Sequence, residues 1–348
     1  MPLKPVPWAT GNGADNPVEG ARLALYAATK GARGVAGPGD MRVTALPVPG
    51  GAVRVHTGGS VTPNDYIPGG GGQAYAMREE SHSDIPIPAT GSSGGATRYL
   101  VARVDDPQYA GPEPADPVNG PYNRYALVGS ETGHAYPHVP LAKITQPANT
   151  ATITPDMITD IRTIALARRE ERVFARPRVQ ADNSPQNWLT AKLNVGGEYF
   201  PGGGESPNGF TVRVPDWAVM MIVEADWLSV RYQGEKSSWG LFWMEYGTEF
   251  RNRAWPGFAN NKHNYEFSTQ GFAWDQSEGP TYRTNWRLMD TRPVPAKLRG
   301  KDVAFIFKAA IDDASGALSN VASMNSISGL GCKLTFIEAP TSDWQGAN

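Results

Sequence analysis

Residues 144–172 read ITQPANTATITPDMITDIRTIALARREER, and how they fold decides how the rest of the chain is divided. The stretch reads as a short strand, a helix start and about four turns of helix. Thr154 can accept from the free amides of a first turn, Pro155 fits the first helical position, and Asp156 suits the positive end of the dipole. Met157, Ile161 and Ile164 form an apolar stripe at spacings of four and three, widened by Ile158 and Ala165. Beyond Leu166 the text turns to charge, and Pro177 ends any continuation. A helix this short cannot leave such a stripe in water. It must bury Met157, Ile161 and Ile164 against its own domain or against copies of itself, and three-fold packing of the stripe would give a homotrimer.

Composition changes across this joint. The expected division is an extended arm at 1–15, a β domain at 16–153, a connecting helix and linker at 154–176, and a β-sandwich at 177–348. At 348 residues the chain can hold two cores of ordinary size. A net charge of -2 with 19% charged residues argues against a nucleic-acid partner or an anionic membrane surface. Thirty-nine Gly and thirty Pro imply many turns and few long helices. The single cysteine, Cys332, lies in an alternating apolar run and reads as a buried free thiol. No charged-then-apolar leader opens the sequence and no apolar run approaches twenty residues, so the expectation is synthesis in a cytosol without membrane insertion.

In the first half, Asn16 and Pro17 cap a helix over about 17–30, with Gly31 as its stop. Residues 31–39 carry glycines at a period of three and read as a loop. Short strands follow at 42–47, 52–56, 73–77, 83–87, 98–104, 125–128 and 139–144, separated by Gly/Pro turns. The run Gly69 to Gly72 lacks the Lys-Ser/Thr of a phosphate loop.

Four blocks of this half, GARGVAGPGDMRVTALPVPGGAVRVHTGGSV, QAYAMREE, ATRYLVARVDDPQY and VPLAKITQPANTATITPDMITDIR, occur in an order that resembles a known family. The resemblance, over about residues 15–172, is to the N-terminal region of minor tail (baseplate-type) proteins of long-tailed phages infecting Actinobacteria. It implies a virion part at the tail tip. An N-terminal module would attach to other tail-tip proteins, and a distal module would contact the host. The second half carries none of that family's words.

Nine of the ten Trp lie after residue 184. Strands read at 210–214, 218–232 (two strands or one bent one), 239–246, 302–310 and 331–337. No second-half segment reads as helix, so the pattern suits a jelly-roll-type sandwich. The fold class is therefore mainly β, with one leading helix before the first domain and a short helix joining the two. Polar, aromatic-rich loops are expected at 196–208, 251–265 and 272–285. Trp255, Asn260, Asn261, His263, Tyr265 and Trp274 have the chemistry of a glycan surface, since aromatic faces stack on sugars while amides and charges bond hydroxyls. Packing of the same rings onto the sandwich is the alternative.

Glu224 and Asp226 share one face of a strand at a spacing that could serve glycoside hydrolysis, although a solvated acidic face gives the same pattern. His82 and Asp84 could pair, but no nucleophile accompanies them. His134 and His138 are separated by Ala-Tyr-Pro, which forbids the helix that would aim both at one metal. No catalytic residue, metal ligand or cofactor is assigned. The expected function is a structural, adhesive virion protein whose distal sandwich contacts a host cell-envelope glycan. The alternatives are a tail-borne glycan depolymerase and a purely architectural tail subunit.

Overall fold

The computed structural model describes residues 18–179, 187–193, 196–202, 209–233, 237–247, 265–274, 281–312 and 321–340. The fold is mainly β, built of antiparallel sheets. It divides into two compact units, Met1–Ala167 with Ala339–Asn348, and Arg168–Glu338.

The first unit opens with helix α1 (Val18–Thr29), which Gly31 ends at φ 68°. Ten strands follow: β1 (Gly34–Val35), β2 (Val43–Ala45), β3 (Ala52–Val55), β4 (Gly58–Pro63), β5 (Ala74–Glu79), β6 (Ser83–Pro86), β7 (Ala96–Val104), β8 (Asn123–Val128), β9 (His138–Gln146) and β10 (Ile158–Asp160). They form three sheets, ordered β1-β4-β5, β2-β3-β6 and β10-β9-β7-β8. Alternation along β3, β7 and β9 turns Val53, Val55, Leu100, Ala102, Val139 and Leu141 into one aliphatic core. Strand β1 falls within the glycine run expected to be a loop. At Gly34, φ is 147° and an added methyl would meet the carbonyl oxygen of Thr163, so only glycine lets the two backbones close.

Residues 155–170 do not form the expected helix. Pro155–Met157 makes a single 3₁₀ turn, and Ile158–Asp160 pairs with Ile144, Lys143 and Ala142 of β9. Met157 and Ile158 pack against the first unit's core and Ile164 lies within it. The Ile161 amide donates to the carbonyl of Leu141 (3.3 Å). Arg162, which a helix would leave in water, is buried. Its guanidinium grips Asp160 (2.7 and 2.9 Å) and the carbonyl of Asp40 (2.6 Å). The stripe is thus consumed inside its own unit, which removes the motive for three-fold packing through Met157, Ile161 and Ile164. The charged end, Arg169–Arg176, is a strand of the second unit.

That unit contains β11 (Arg169–Arg176), β12 (Asn187–Trp188), β13 (Glu198–Tyr199), β14 (Gly209–Arg213), β15 (Met220–Gln233), β16 (Ser238–Tyr246), β17 (Tyr265–Glu266), β18 (Gln270–Trp274), β19 (Thr281–Pro293), β20 (Asp302–Ile311), β21 (Ala322–Met324) and β22 (Gly329–Ile337). One sheet runs β11-β22-β15-β19 and the other β14-β20-β16-β18, with the short β12, β13, β17 and β21 extending them. Count the long strands in chain order, with β17 and β18 as one. The first sheet is then first, eighth, third, sixth, and the second is second, seventh, fourth, fifth. Two nested Greek keys give this order, and it defines an eight-stranded jelly roll.

The two sheets meet through rings. Trp227 of β15 sets its edge against Phe242 of β16 (5.1 Å) and Phe307 of β20 (4.9 Å). Trp286 of β19 stacks on Phe242 (5.0 Å) and Phe272 (4.5 Å). The run expected at 218–232 resolves as one strand, Met220–Gln233, with an irregularity between Trp227 and Val230, where Ser229 has φ 59°. Most of the second half of the expected loop 272–285 is instead the start of β19, a thirteen-residue strand.

Candidate functional site

Of the six residues expected to bind glycan, Trp255, Asn260, Asn261 and His263 lie outside the described residues. The structure places the other two far apart. Tyr265 pairs with Tyr246 at one end of β16, and Trp274 pairs with Ser238 at the other. Eight strand steps separate Ser238 from Tyr246, roughly 26 Å. Trp274 alternates inward with Phe272, is 3% exposed and lies parallel to Tyr232 at 6.0 Å. Its face belongs to the sandwich core and is no platform for a sugar.

Tyr265 is half-buried and keeps one working neighbourhood. Its ring stacks on Tyr246 (5.5 Å), and the ammonium of Lys297 lies 5.1 Å from its centroid. Beside it, the Ser268 amide donates to Asp290 (2.7 Å), and Arg292 joins Asp290 (2.8 Å) to the Ser268 hydroxyl (2.8 Å). Burial pulls the Asp290 carboxyl upward. The amides of Ser268 and Thr291 and the charge of Arg292 outweigh it, holding the group below the ordinary carboxylate range. Burial pushes the Tyr246 hydroxyl well above its usual value. An aromatic face, a cation and a fixed anion thus stand where β16 ends and β17 begins.

A second opening lies along the edge of the sandwich, between β18 and β19. This cleft, about 320 Å³, presents Gln270, Thr284, Asn285 and Arg287 over the rims of Phe272 and Trp286. Amides and a guanidinium above aromatic rings can bond hydroxyls or amides of a ligand. Sequence reasoning missed it because Thr284 and Asn285 read as loop. The signal available was the inward pair Trp286 and Leu288 alternating with exposed Arg287 and Met289.

In the first unit a cavity of about 440 Å³ lies beside Arg22, Tyr75, Asp106 and Tyr122. Arg22 pairs with Asp106 (2.7 Å), and Tyr75 donates to the same carboxylate (2.8 Å). Burial, and then that bond, raise the Tyr75 hydroxyl far above its usual range.

The acidic pair singled out for chemistry lies on the outer face of the first sheet of the jelly roll. Arg287 reaches both Glu224 (3.6 Å) and Asp226 (3.7 Å), and Lys333 joins Glu224 (3.2 Å) to Glu171 (3.5 Å). Lys333 is held above its ordinary value, first by its bond to Glu224. This is a charge ladder across a sheet surface. Asp84 accepts two bonds from Arg54 (2.7 and 2.9 Å), so its carboxylate is committed there rather than to His82. His134 and His138 do come together, with ring centroids 4.9 Å apart, where an irregular segment enters β9. Their nitrogens are engaged by Arg33, Glu131 and Ser130. Among the described residues no cluster of three or more His, Cys, Asp or Glu is arranged to hold a metal ion. No described helix is long and apolar enough to cross a membrane. Cys332 is buried with its sulfur 3.9 Å from that of Met244, and burial raises the thiol.

Fold and sites together define a two-unit β protein whose second unit is a jelly roll with polar openings at one end and along one edge. No family model matches the chain, and no curated protein does. Solved structures do match distantly. The VP2 subviral particle of infectious bursal disease virus aligns at 12% identity and TM-score 0.25, over 89% of this chain and 74% of that one. The Gx strain structure of the same virus aligns at 12% and 0.24, over 90% and 75%. Scores of this size carry no argument about function.

Proposed function

We propose that this chain is a structural component of a virion, a minor tail protein of the phage tail tip. The first unit attaches it to other tail-tip proteins, and the jelly roll contacts the host cell-envelope glycan. The observation that carries the reading is the strand order of the second unit, since eight-stranded jelly rolls are a recurrent scaffold of viral shells and of lectins. The tail-like sequence blocks, over residues 15–172, support the assignment of the first unit. We put the contact at Tyr265, whose ring has the Lys297 ammonium beside it and which directly follows in sequence the stretch that carries Trp255, Asn260, Asn261 and His263. Several copies per particle would gain from effective concentration, so weak single sites suffice.

Adsorption to host cells tests this reading. Purified full-length protein should be retained on host envelope polysaccharide without releasing reducing ends, and Tyr265→Ala with Lys297→Ala should weaken retention about tenfold. Release of reducing ends abolished by Glu224→Gln would establish a depolymerase instead. Phage adsorption unchanged by deletion of residues 168–338 would leave an architectural subunit.

A further inference from the structure

The outer face of the sheet β11-β22-β15-β19 is patterned in a way its own unit does not need. The register sets Val173, Lys333, Glu224 and Met289 side by side in one row across the four strands. The outer members are apolar and open to water, Val173 at 75% and Met289 at 57%. The inner two carry opposite charges. Leu228, 40% exposed, projects from the same face and pairs with Gly329.

We infer that this face is a two-fold contact between copies of the chain. Take an axis parallel to the strands, midway between β22 and β15, and turn a second copy over onto the first. The row then meets its own reverse. Lys333 faces the copy's Glu224, Glu224 faces the copy's Lys333, and Val173 and Met289 cover one another at both flanks. Leu228 comes to rest on the copy's Gly329, where no side chain opposes it. An isologous contact must be self-complementary in this way, and an arbitrary charged face is not.

The size is adequate. A face about 19 Å by 26 Å occludes on the order of 1,000 Å² across two copies, the lower bound for a specific interface. Sheets packed face to face lie at about 30° to each other, so the pairs nearest the axis fit best. Those are Lys333 and Glu224. Each already has a partner within its own chain, so dimerisation would turn an ion pair into a four-charge network while covering Val173 and Met289. The contact is reversible and weak in free protein, and reinforced where copies are held close.

Charge exchange tests it. Sedimentation of the full chain should show a concentration-dependent dimer. Lys333→Glu and Glu224→Lys should each weaken it about tenfold, because each homodimer then sets like charges across the axis. Mixed together, the two variants should form a heterodimer, since the two introduced charges then oppose each other across the axis and the two native ones do the same. Val173→Arg, at a position 75% exposed in the single chain, should disrupt the dimer while leaving the circular dichroism of the monomer intact. A protein that stays monomeric at its solubility limit overturns the inference. So does an oligomer indifferent to these variants, or folded variants that fail to associate when mixed.

Discussion

The two units solve the same problem with different materials. The first unit's core is aliphatic: Val35, Val53, Leu100, Leu141 and Ile144 fill it, and among the described residues no Phe, Tyr or Trp ring is fully buried there. Its strands are short, and ion pairs built on buried or half-buried residues tie them together. Arg162 holds Asp160 and the Asp40 carbonyl, Arg33 holds Asp65, and Arg103 and Arg124 converge on Asp105. The second unit's core is aromatic, with Trp227, Trp243, Phe242, Phe305 and Phe307 at its centre and longer strands around them. Rings bury more area per residue than valines, so a sandwich can be stabilised by packing alone. A small sheet assembly with less apolar area leans on bonds that must stay fully satisfied.

That difference predicts opposite weak points. In the second unit, Trp227→Ala removes a fully buried indole that also donates to the carbonyl of Phe200 (2.9 Å). The cavity and lost burial should cost about 4 kcal/mol. Tryptophan fluorescence reports mainly this unit, because eight of the ten Trp lie within Arg168–Glu338. The fluorescence melting transition should fall steeply while the first unit keeps its own. If both fall together, the two units share one cooperative transition and the comparison breaks.

In the first unit the matching experiment is Arg162→Met. The volume is nearly kept, but Asp160 and the Asp40 carbonyl lose their partner. Asp160 keeps 33% of its side chain in water and can be rehydrated, so the main loss is the bond to the Asp40 carbonyl, at a cost of about 1–2 kcal/mol. Hydrogen exchange should show β9 and β10 losing protection, with the jelly roll's amides unchanged. Uniform loss of protection would argue against separate units.

The second unit is more legible in the sequence than the first, for the same physical reason. Period-two alternation is readable where rings face inward along β20 and β22, and β16 reads as a strand apolar on both faces; all three are legible nearly to their ends. The leading helix is equally readable from Pro17 and Gly31. Residues 155–164 mislead because Met157, Ile161 and Ile164 have helical spacing by coincidence. Their inward direction comes from one turn and a three-residue strand, each too short to show its own period. The decisive residue is Arg162: a helix leaves it outside, whereas the structure buries it against a backbone carbonyl 122 residues earlier in the chain. No local pattern encodes that partner. The glycan surface is hardest to read, because composition identifies aromatic residues without showing which strand end they occupy. Tyr265 and Trp274 are close in sequence and lie at opposite ends of β16.

The subtlest expected difference is in acid response. His138 is 5% exposed, with Arg33 donating to its Nδ1 (3.2 Å) and its Nε2 directed at the Glu131 carbonyl (3.2 Å). Facing it are also the Tyr136 carbonyl (3.0 Å), Asp65 (4.0 Å) and the His134 ring. Burial depresses its basicity most. The Tyr136 and Glu131 carbonyls oppose that, and the charges of Arg33 and His134 add to it; the balance lies below the ordinary histidine value. His56 shifts the same way, by burial and then by Arg42 and Arg54. In the unfolded chain both imidazoles take a proton near pH 6.5, before the folded protein does. Their contribution is therefore complete above that pH and drains away below it, until the folded-state values are reached. The second unit's only histidine is His263, so its stability should hold nearly level across the same range. Melting curves followed by circular dichroism and by fluorescence between pH 7.5 and 5 should show the first unit's transition falling and the jelly roll's holding. His138→Gln should lower the first transition at pH 7.5 and flatten its slope with pH. An unchanged slope would move the acid sensitivity to other groups and leave the first unit's dependence on buried charge resting on Arg162 alone.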